Sequence, residues 1–230
     1  MSATGDWIES TIGRPSQRPD DWVTVPFRFG VHEILLARPR EPDRLLDDPS
    51  VQQASRTNDY MPYWAYLWPG ATLLAERVLS AKWPSGTRAI EIGCGLGLAG
   101  LAALRAGLRV TFSDYSPAAL ALAEHNARLN GFDQFETRII DWQAPPPEPF
   151  DIVLGADVLY EPRCLPDVLR VLDAMLATNG EALFADPERA VADEFEALAR
   201  NRGYAVRCET AETRMESVGA IRGRIFRVSR

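Results

Sequence analysis

Glu91-Ile92-Gly93-Cys94-Gly95-Leu96-Gly97 places a carboxylate ahead of three alternating glycines. Upstream, Arg88-Ala89-Ile90 reads as the end of a short buried strand. Downstream, Leu98-Ala99-Gly100-Leu101-Ala102-Ala103-Leu104 reads as an Ala/Leu-rich helix. The glycines therefore fall in a strand-to-helix turn. Glycine reaches unusual backbone angles and carries no Cβ to hold a ligand away, while the amides opening a helix supply donors and partial positive charge. A dinucleotide fingerprint, G-x-G-x-x-G, would set its third glycine at position 98, which is Leu98. Here that glycine comes one residue early, at Gly97, and Glu91 stands where it can face the ammonium of a bound amino acid. An amino-acid-bearing nucleotide fits this spacing better than a pyrophosphate. The competing reading is a tight turn that merely needs small residues.

The next strand weighs against that plainer reading. Arg109-Val110-Thr111-Phe112-Ser113 ends in Asp114, about 20 residues beyond the glycines, where an acid can accept both hydroxyls of a ribose. Together the two motifs point to S-adenosylmethionine. Pro117 then opens a helix over Ala118 to Asn130, with Asn126 and Asn130 on one face.

The 230 residues, 46% hydrophobic and 25% charged, suffice for one large domain with a full core. No apolar run approaches the roughly 20 residues that span a membrane, and the polar start Met1 to Asp21 lacks the basic and apolar regions of a signal peptide. A cytoplasmic protein is expected. Cys94, Cys164 and Cys208 are too few and too scattered for a disulfide framework or a metal knuckle, and each reads as a buried or half-buried thiol. His32 and His125 stand far apart without neighbouring ligand types, so no metal site is expected. A net charge of −7 argues against affinity built on phosphate contacts. The basic cluster Arg222, Arg224, Arg227 and Arg230 reads as the solvent face of a strand, with a nucleic-acid patch as the minority reading.

From Lys82 onward strands and helices alternate, the rhythm of a parallel sheet. Glu136 to Asp141 is a strand, Pro145-Pro146-Pro147 a loop, and Phe150 to Ala156 a fourth strand. Leu165, Val168, Leu169, Leu172, Met175 and Leu176 recur at helical spacing, with Asn179-Gly180 closing that helix before the strand Glu181 to Ala185. A helix marked by Val191, Phe195 and Leu198 follows. The runs Tyr204 to Cys208 and Gly223 to Val228 predict a C-terminal β-hairpin at the sheet edge. Gly93, Asp114, Asp141 and Asp157 all sit at carboxyl ends of strands, where open parallel sheets bind ligands, so one pocket is expected. Residues 1–60 differ in composition. Val23 to Phe29 and Val31 to Leu36 suggest a two-stranded arm near the acceptor entrance, ahead of a catalytic domain over 61–230.

The aromatic segment Pro62-Tyr63-Trp64-Ala65-Tyr66-Leu67-Trp68-Pro69-Gly70-Ala71 leads into a helix over Thr72 to Leu79. Taken with Glu91 to Gly97, Asp114, Asp141-Trp142 and Asp157-Val158-Leu159-Tyr160, it resembles the seven-strand protein-lysine methyltransferases over roughly residues 60 to 200. The resemblance implies a Rossmann-like α/β class I methyltransferase sheet, helices on both faces, and S-adenosylmethionine as cofactor. It puts Trp68 and Gly70 beside that cofactor, Glu91, Gly93, Gly95 and Gly97 around its methionyl part, and Asp114 on the ribose. Asp141 and Trp142 meet the adenine, Ala156 lies at the cofactor edge of the fourth strand, and Asp157 and Tyr160 match a D-x-x-Y signature that lines a substrate-lysine channel. Asp186-Pro187-Glu188-Arg189 is similar to a D-P-G-R element of the branch that methylates the β subunit of electron-transfer flavoprotein, with Glu188 in place of the glycine. The same segments resemble bacterial nicotinamide N-methyltransferase-like proteins.

Methyl transfer from a sulfonium is an in-line displacement, so the main task is placing a lone pair about 3 Å from the methyl carbon and excluding water. A carboxylate favours the ammonium form of an amine, so Asp157 is read as docking and orienting the acceptor, with Tyr160 as wall and hydroxyl. A helix N-cap is the plainer role for Asp157. The leading expectation is an N-methyltransferase acting on lysine in a protein. The alternatives are a small-amine methyltransferase, a cofactor-binding scaffold without turnover, and a nicotinamide-dependent oxidoreductase, which Leu98 disfavours. Adenine-N6 methyltransferases carry an N/D-P-P-Y/F element where this chain has Ala156-Asp157-Val158-Leu159-Tyr160, so nucleic acid is a poor candidate acceptor. No motif specifies the oligomeric state.

Overall fold

Two antiparallel strands, β1 (Trp22–Phe29) and β2 (His32–Pro39), pair in full register across a turn at Gly30-Val31. The computed structural model describes residues 22–58, 60–215 and 219–230, so the polar start Met1 to Asp21 lies outside the described residues. Val31, expected to begin the second strand, sits in the turn and is 95% exposed. A 3-10 turn at Pro42–Asp47 and helix α1 (Pro49–Asn58) lead to a second 3-10 turn at Tyr63–Ala65. Helix α2 (Pro69–Ser80) starts three residues before the expected Thr72, because proline suits a first turn whose N–H groups have no helical partner.

The predicted alternation follows: β3 (Arg88–Ile92), α3 (Leu98–Arg105), β4 (Arg109–Asp114), α4 (Pro117–Leu129), β5 (Glu136–Ile139), β6 (Phe150–Ala156), α5 (Cys164–Met175), β7 (Leu176–Asp186) and α6 (Val191–Asn201). Asn179-Gly180 does not close a helix. Helix α5 stops at Met175 and the chain runs directly into β7, with a register shift where β6 pairs with it between Phe150 and Ile152. Gly180 is needed there because a Cβ would lie 2.8 Å from the Asp151 carbonyl oxygen on β6. The C-terminal hairpin is longer than expected, β8 (Ala205–Met215) against β9 (Gly219–Ser229).

The seven-stranded sheet has the order β5-β4-β3-β6-β7-β9-β8; β3 to β7 are parallel, and β9 and β8 are added antiparallel. Alternate residues of each central strand serve opposite faces. Ala89, Leu154, Leu183 and Ile225 join helices α2, α3 and α4 in one apolar cluster, and Ile90, Val153, Phe184 and Phe226 join α5 and α6 in the other. Strand β9 is interior to the sheet; of the C-terminal arginines read as a solvated face, Arg222 and Arg230 are exposed, whereas Arg224 and Arg227 are half-buried by ion pairs. Arg224 pairs with Asp186 at 3.4 Å and with Asp193, Arg227 pairs with Glu181 at 2.7 Å, and of these Arg222 stands most exposed, against Glu212. Cys94 and Cys164 are buried, while Cys208, expected to be covered, is exposed on β8.

The β1–β2 hairpin was expected near the acceptor entrance. It packs instead on α3 and α4, with Phe27, Phe29, Ile34 and Leu36 in the same cluster as those helices. An alternating hairpin buries its apolar face where a large apolar helix surface is on offer, and α3 is buried from Leu98 through Leu104. Ile34 is completely buried, so Ile34→Ala should cost about 2–5 kcal/mol. Thermal unfolding followed by both tryptophan fluorescence and far-UV dichroism should show one earlier transition. A separate early transition limited to the hairpin would mean that the arm melts alone.

Candidate active site

The strand order reverses between β3 and β6, and the carboxyl ends of these two strands carry the Gly-rich turn and Asp157. Gly93, Gly95 and Gly97 all have positive φ, at 59°, 51° and 82°. Their lack of a Cβ serves different neighbours. A Cβ on Gly93 would be 3.0 Å from the Trp142 ring, one on Gly95 3.1 Å from the Trp64 carbonyl oxygen, and one on Gly97 3.0 Å from Ala123 Cβ. Gly97 therefore packs α3 onto α4 and lies away from the cavity.

Two buried carboxylates hold this turn by backbone amides. Asp114 accepts from Gly95 N–H at 3.0 Å and from Ser116 N–H at 2.9 Å. Glu91, 2% exposed, accepts from Gly100 N–H at 2.8 Å, at the first turn of α3. Burial pushes the Glu91 carboxyl up to about 8, against the pull of those amides and helped by the nearby Asp114 charge. Asp114 is also raised, again chiefly by burial. Asp141 accepts from Gln143 N–H at 2.8 Å and so turns the chain to set Trp142 over Gly93.

Asp157 is a cap, although for a helix distant in sequence. Its Oδ2 accepts from Gly70 N–H at 2.7 Å, at the N-terminus of α2, where the helix dipole favours an anion. Gly70 is fixed by this approach, since a Cβ would overlap Asp157 Oδ2 and lie 2.8 Å from the Ala185 carbonyl oxygen. The other oxygen, Oδ1, pairs with Arg189 Nη1 at 2.7 Å. Burial raises the Asp157 pKa, and Arg189 opposes that rise. Arg189 also meets Asp186 Oδ2 at 3.1 Å, and its backbone N–H donates to Asp186 Oδ1 at 2.7 Å. Glu188 has φ 66°, which accounts for a glycine at this place in the D-P-G-R element.

Tyr160 forms the outer wall with Tyr63, ring centroids 6.2 Å apart, and Tyr63 meets Trp68 edge-on at 6.1 Å. Burial pushes the Tyr160 phenol up, so it stays a neutral hydroxyl. These parts line one cavity of about 760 Å³. Trp68, Glu91, Gly93, Gly95, Asp114, Asp141, Trp142, Ala156, Asp157 and Tyr160 all face it, whereas Gly70 and Gly97 support it from behind. Sequence reasoning did not assign Tyr63, Tyr115 or Arg189 to this cavity. Tyr115 follows Asp114 directly, and Arg189 belongs to the quoted D-P-E-R element, so both carried a signal in their neighbours. Among the described residues no cluster of His, Cys, Asp and Glu could hold a metal ion, and no helix is long and apolar enough to cross a membrane.

The topology and the strand-end cavity define a class I methyltransferase fold. A ribosomal protein L11 methylase from Lactobacillus delbrueckii subsp. bulgaricus superposes with a TM-score of 0.55 at 21% identity, covering 68% of this chain and 77% of that one. The family model for lysine methyltransferases matches residues 65–199, and the chain belongs to that family. The histone-arginine methyltransferase METTL23 of Xenopus laevis is 29% identical over 130 residues, covering 53% of this chain and 56% of that protein. The electron transfer flavoprotein beta subunit lysine methyltransferase of Danio rerio is 28% identical over 132 residues, covering 56% and 51%. The chain thus spans about half the length of the curated relatives it matches. S-adenosylmethionine is the cofactor that fold and family imply. The donor set fits it, with left-handed glycines that let the backbone approach and acidic groups suited to ribose hydroxyls and an ammonium.

Two consequences are measurable. Glu91 is protonated in the folded chain up to about pH 8 but ionises near 4.5 when unfolded, so folding binds a proton between those values. Wild-type stability should therefore fall relative to Glu91→Gln as pH rises from 5 to 8, by at most about 1.4 kcal/mol per unit. Parallel stability curves would show that Glu91 ionises normally. Glu188→Gly relieves a left-handed side-chain-bearing residue and should raise the unfolding free energy by about 0.5–1 kcal/mol, read by urea denaturation. A loss of stability would mean that Glu188 makes a compensating contact.

Proposed function

We propose that this protein is an S-adenosylmethionine-dependent N-methyltransferase that modifies a lysine side chain of a protein substrate in the cytoplasm. The observation that carries the reading is the meeting of two motifs in one cavity: the Gly-rich turn with Asp114, and Asp157 with Tyr160. The relatives named above act, by their names, on arginine or lysine in proteins, which supports a protein acceptor.

S-adenosylmethionine supplies an electrophilic methyl group on a positively charged sulfur. When it binds, Glu91 and the turn amides would hold its amino-acid end, Asp114 the ribose, and Trp142 with Asp141 the adenine. The acceptor amine enters between Tyr63, Trp68 and Tyr160, whose rings exclude water from the line of attack. Its nitrogen lone pair would take up that methyl group as the bond to sulfur breaks, and the amine's extra proton would leave to solvent. Deprotonating a lysine at pH 7 costs roughly 4–5 kcal/mol, which burial and a neighbouring sulfonium can supply. An arginine, with a pKa above about 12, requires much more, and Asp157 is too weak a base to provide it. This favours lysine.

Asp157 orients the amine, and the Arg189 guanidinium opposes the rise in its pKa that burial causes. Asp157→Asn retains an acceptor for Gly70 N–H and should lose about 100-fold or more in methyl transfer, with S-adenosylmethionine affinity changed by less than about threefold. Normal turnover would remove Asp157 from the acceptor site. The acceptor itself is tested by incubating the protein with tritiated S-adenosylmethionine and fractionated cell extract. Label in protein bands, recovered as methyl-lysine on hydrolysis, is expected; label confined to small molecules would overturn the protein-lysine reading.

A further inference from the structure

The two asparagines noted on one face of α4 make a repeated contact. Asn130 accepts from Leu35 N–H at 2.8 Å and donates back to the Leu35 carbonyl at 2.7 Å. One helical turn earlier, Asn126 accepts from Ala37 N–H at 2.8 Å and donates to the Ala37 carbonyl at 3.1 Å. Leu35 and Ala37 alternate along β2, so the two carboxamides act as a substitute strand, satisfying the outward N–H and C=O groups of the hairpin edge. The hairpin is thereby sewn to the back of the domain.

The asparagines differ in one bond. Asn126 uses its second amide proton on the Leu96 carbonyl oxygen, at 3.0 Å, inside the Gly-rich turn. Asn130 sends its spare proton to the Asn126 carbonyl, within its own helix. Asn126 is completely buried, and all its donors and its acceptor oxygen are engaged. Leu96 itself lines the cavity. A turn with three left-handed glycines has no side chains at those positions to lock it, so beyond its one internal bond, Gly97 N–H to the Cys94 carbonyl at 2.7 Å, its shape rests on hydrogen bonds from outside. Asp114 holds the Gly95 amide, and Asn126 holds the carbonyl of the next residue.

We propose that Asn126, which also clasps the β1–β2 hairpin outside the matched segment 65–199, is a positioning residue for cofactor binding through its bond to the Leu96 carbonyl. The inference rests on the S-adenosylmethionine reading and not on the identity of the acceptor. Breaking the Leu96 contact lets the turn sample shapes that the cofactor does not bind, whereas breaking only the hairpin clasp leaves the turn in place.

Asn130 provides the internal control. In calorimetric titrations of the full chain with S-adenosylmethionine, Asn126→Ala should weaken binding about tenfold or more. Asn130→Ala should stay within about twofold, although both variants lose a clasp to β2 and both should melt earlier. Asn126→Asp, which keeps an oxygen for Ala37 N–H and removes the donor to Leu96, should behave as Asn126→Ala in binding. Hydrogen exchange without cofactor should show faster exchange at residues 93–97 in the Asn126 variants alone. The proposal is overturned if the Asn126 variants bind as wild type does, or if Asn130→Ala weakens binding as much as Asn126→Ala, which would mark a purely structural clasp. Failure of the wild type to bind would overturn the cofactor reading and this inference with it, whatever the label experiment returned.

Discussion

Backbone held in left-handed conformations without side chains is the constraint around which this site is built. At Gly93, Gly95 and Gly97 the chain gives up side chains so that Trp142, the Trp64 backbone and Ala123 can come close, and much of the lost order is restored from elsewhere. The restoring groups are buried and polar. Glu91 reaches across to Gly100 N–H, Asp114 to Gly95 N–H, and Asn126 to the Leu96 carbonyl. Each is costly to bury unless its bonds are made, so the bonds to the turn and the burial of these groups depend on one another.

The Asp157 side of the cavity repeats the device in another form. Asp157, itself at φ 58°, places a carboxylate on the N-terminus of α2, and Gly70 is the residue that lets it come close. Arg189 then bridges Asp157 to Asp186, and Arg224 continues the chain of charges from Asp186 onto β9. The C-terminal hairpin, added antiparallel beyond β7, thus reaches the cavity wall at Asp157 through ion pairs. This explains why Arg224 is drawn inward when the spacing of the tail arginines suggested a solvated face.

Much of this was legible in the chain. The strand-turn-helix around Glu91 to Gly97 announced itself because glycine spacing and apolar periodicity are local properties, and the parallel alternation followed from the same periodicities. Boundaries were displaced where tertiary contacts decide them: Asn179-Gly180 has the composition of a helix stop, yet Gly180 serves the close passage of β6. The partner of Asp157 was hidden for the same reason. An acid after a strand reads as a cap for the next helix, whereas the amide it caps, Gly70 N–H, lies 87 residues earlier in sequence. Arg189 was visible as a letter of a motif, but its pairing with Asp157 arises only when β6 and β7 lie side by side. The hairpin was visible as alternation; its seat on α3 and α4 was not, because edge hydrogen bonds to carboxamides leave no periodic trace.

The two halves of the cavity hold their carboxylates differently, and the difference bears on the chemistry. Glu91 and Asp114 are held by backbone amides, which carry partial charges only, so when ionised they leave a net negative potential. That suits a ligand bearing an ammonium and a sulfonium, and the upward shift of Glu91 means that such a ligand also draws a proton off it. Asp157 is held by Arg189, a full positive charge, and its field is largely cancelled. The half of the cavity around Asp157 is walled by aromatic rings. Such a setting disfavours an ammonium more than it disfavours the free amine, since burial penalises the charged form. A group that must deliver a lone pair gains from that imbalance without any strong base beside it.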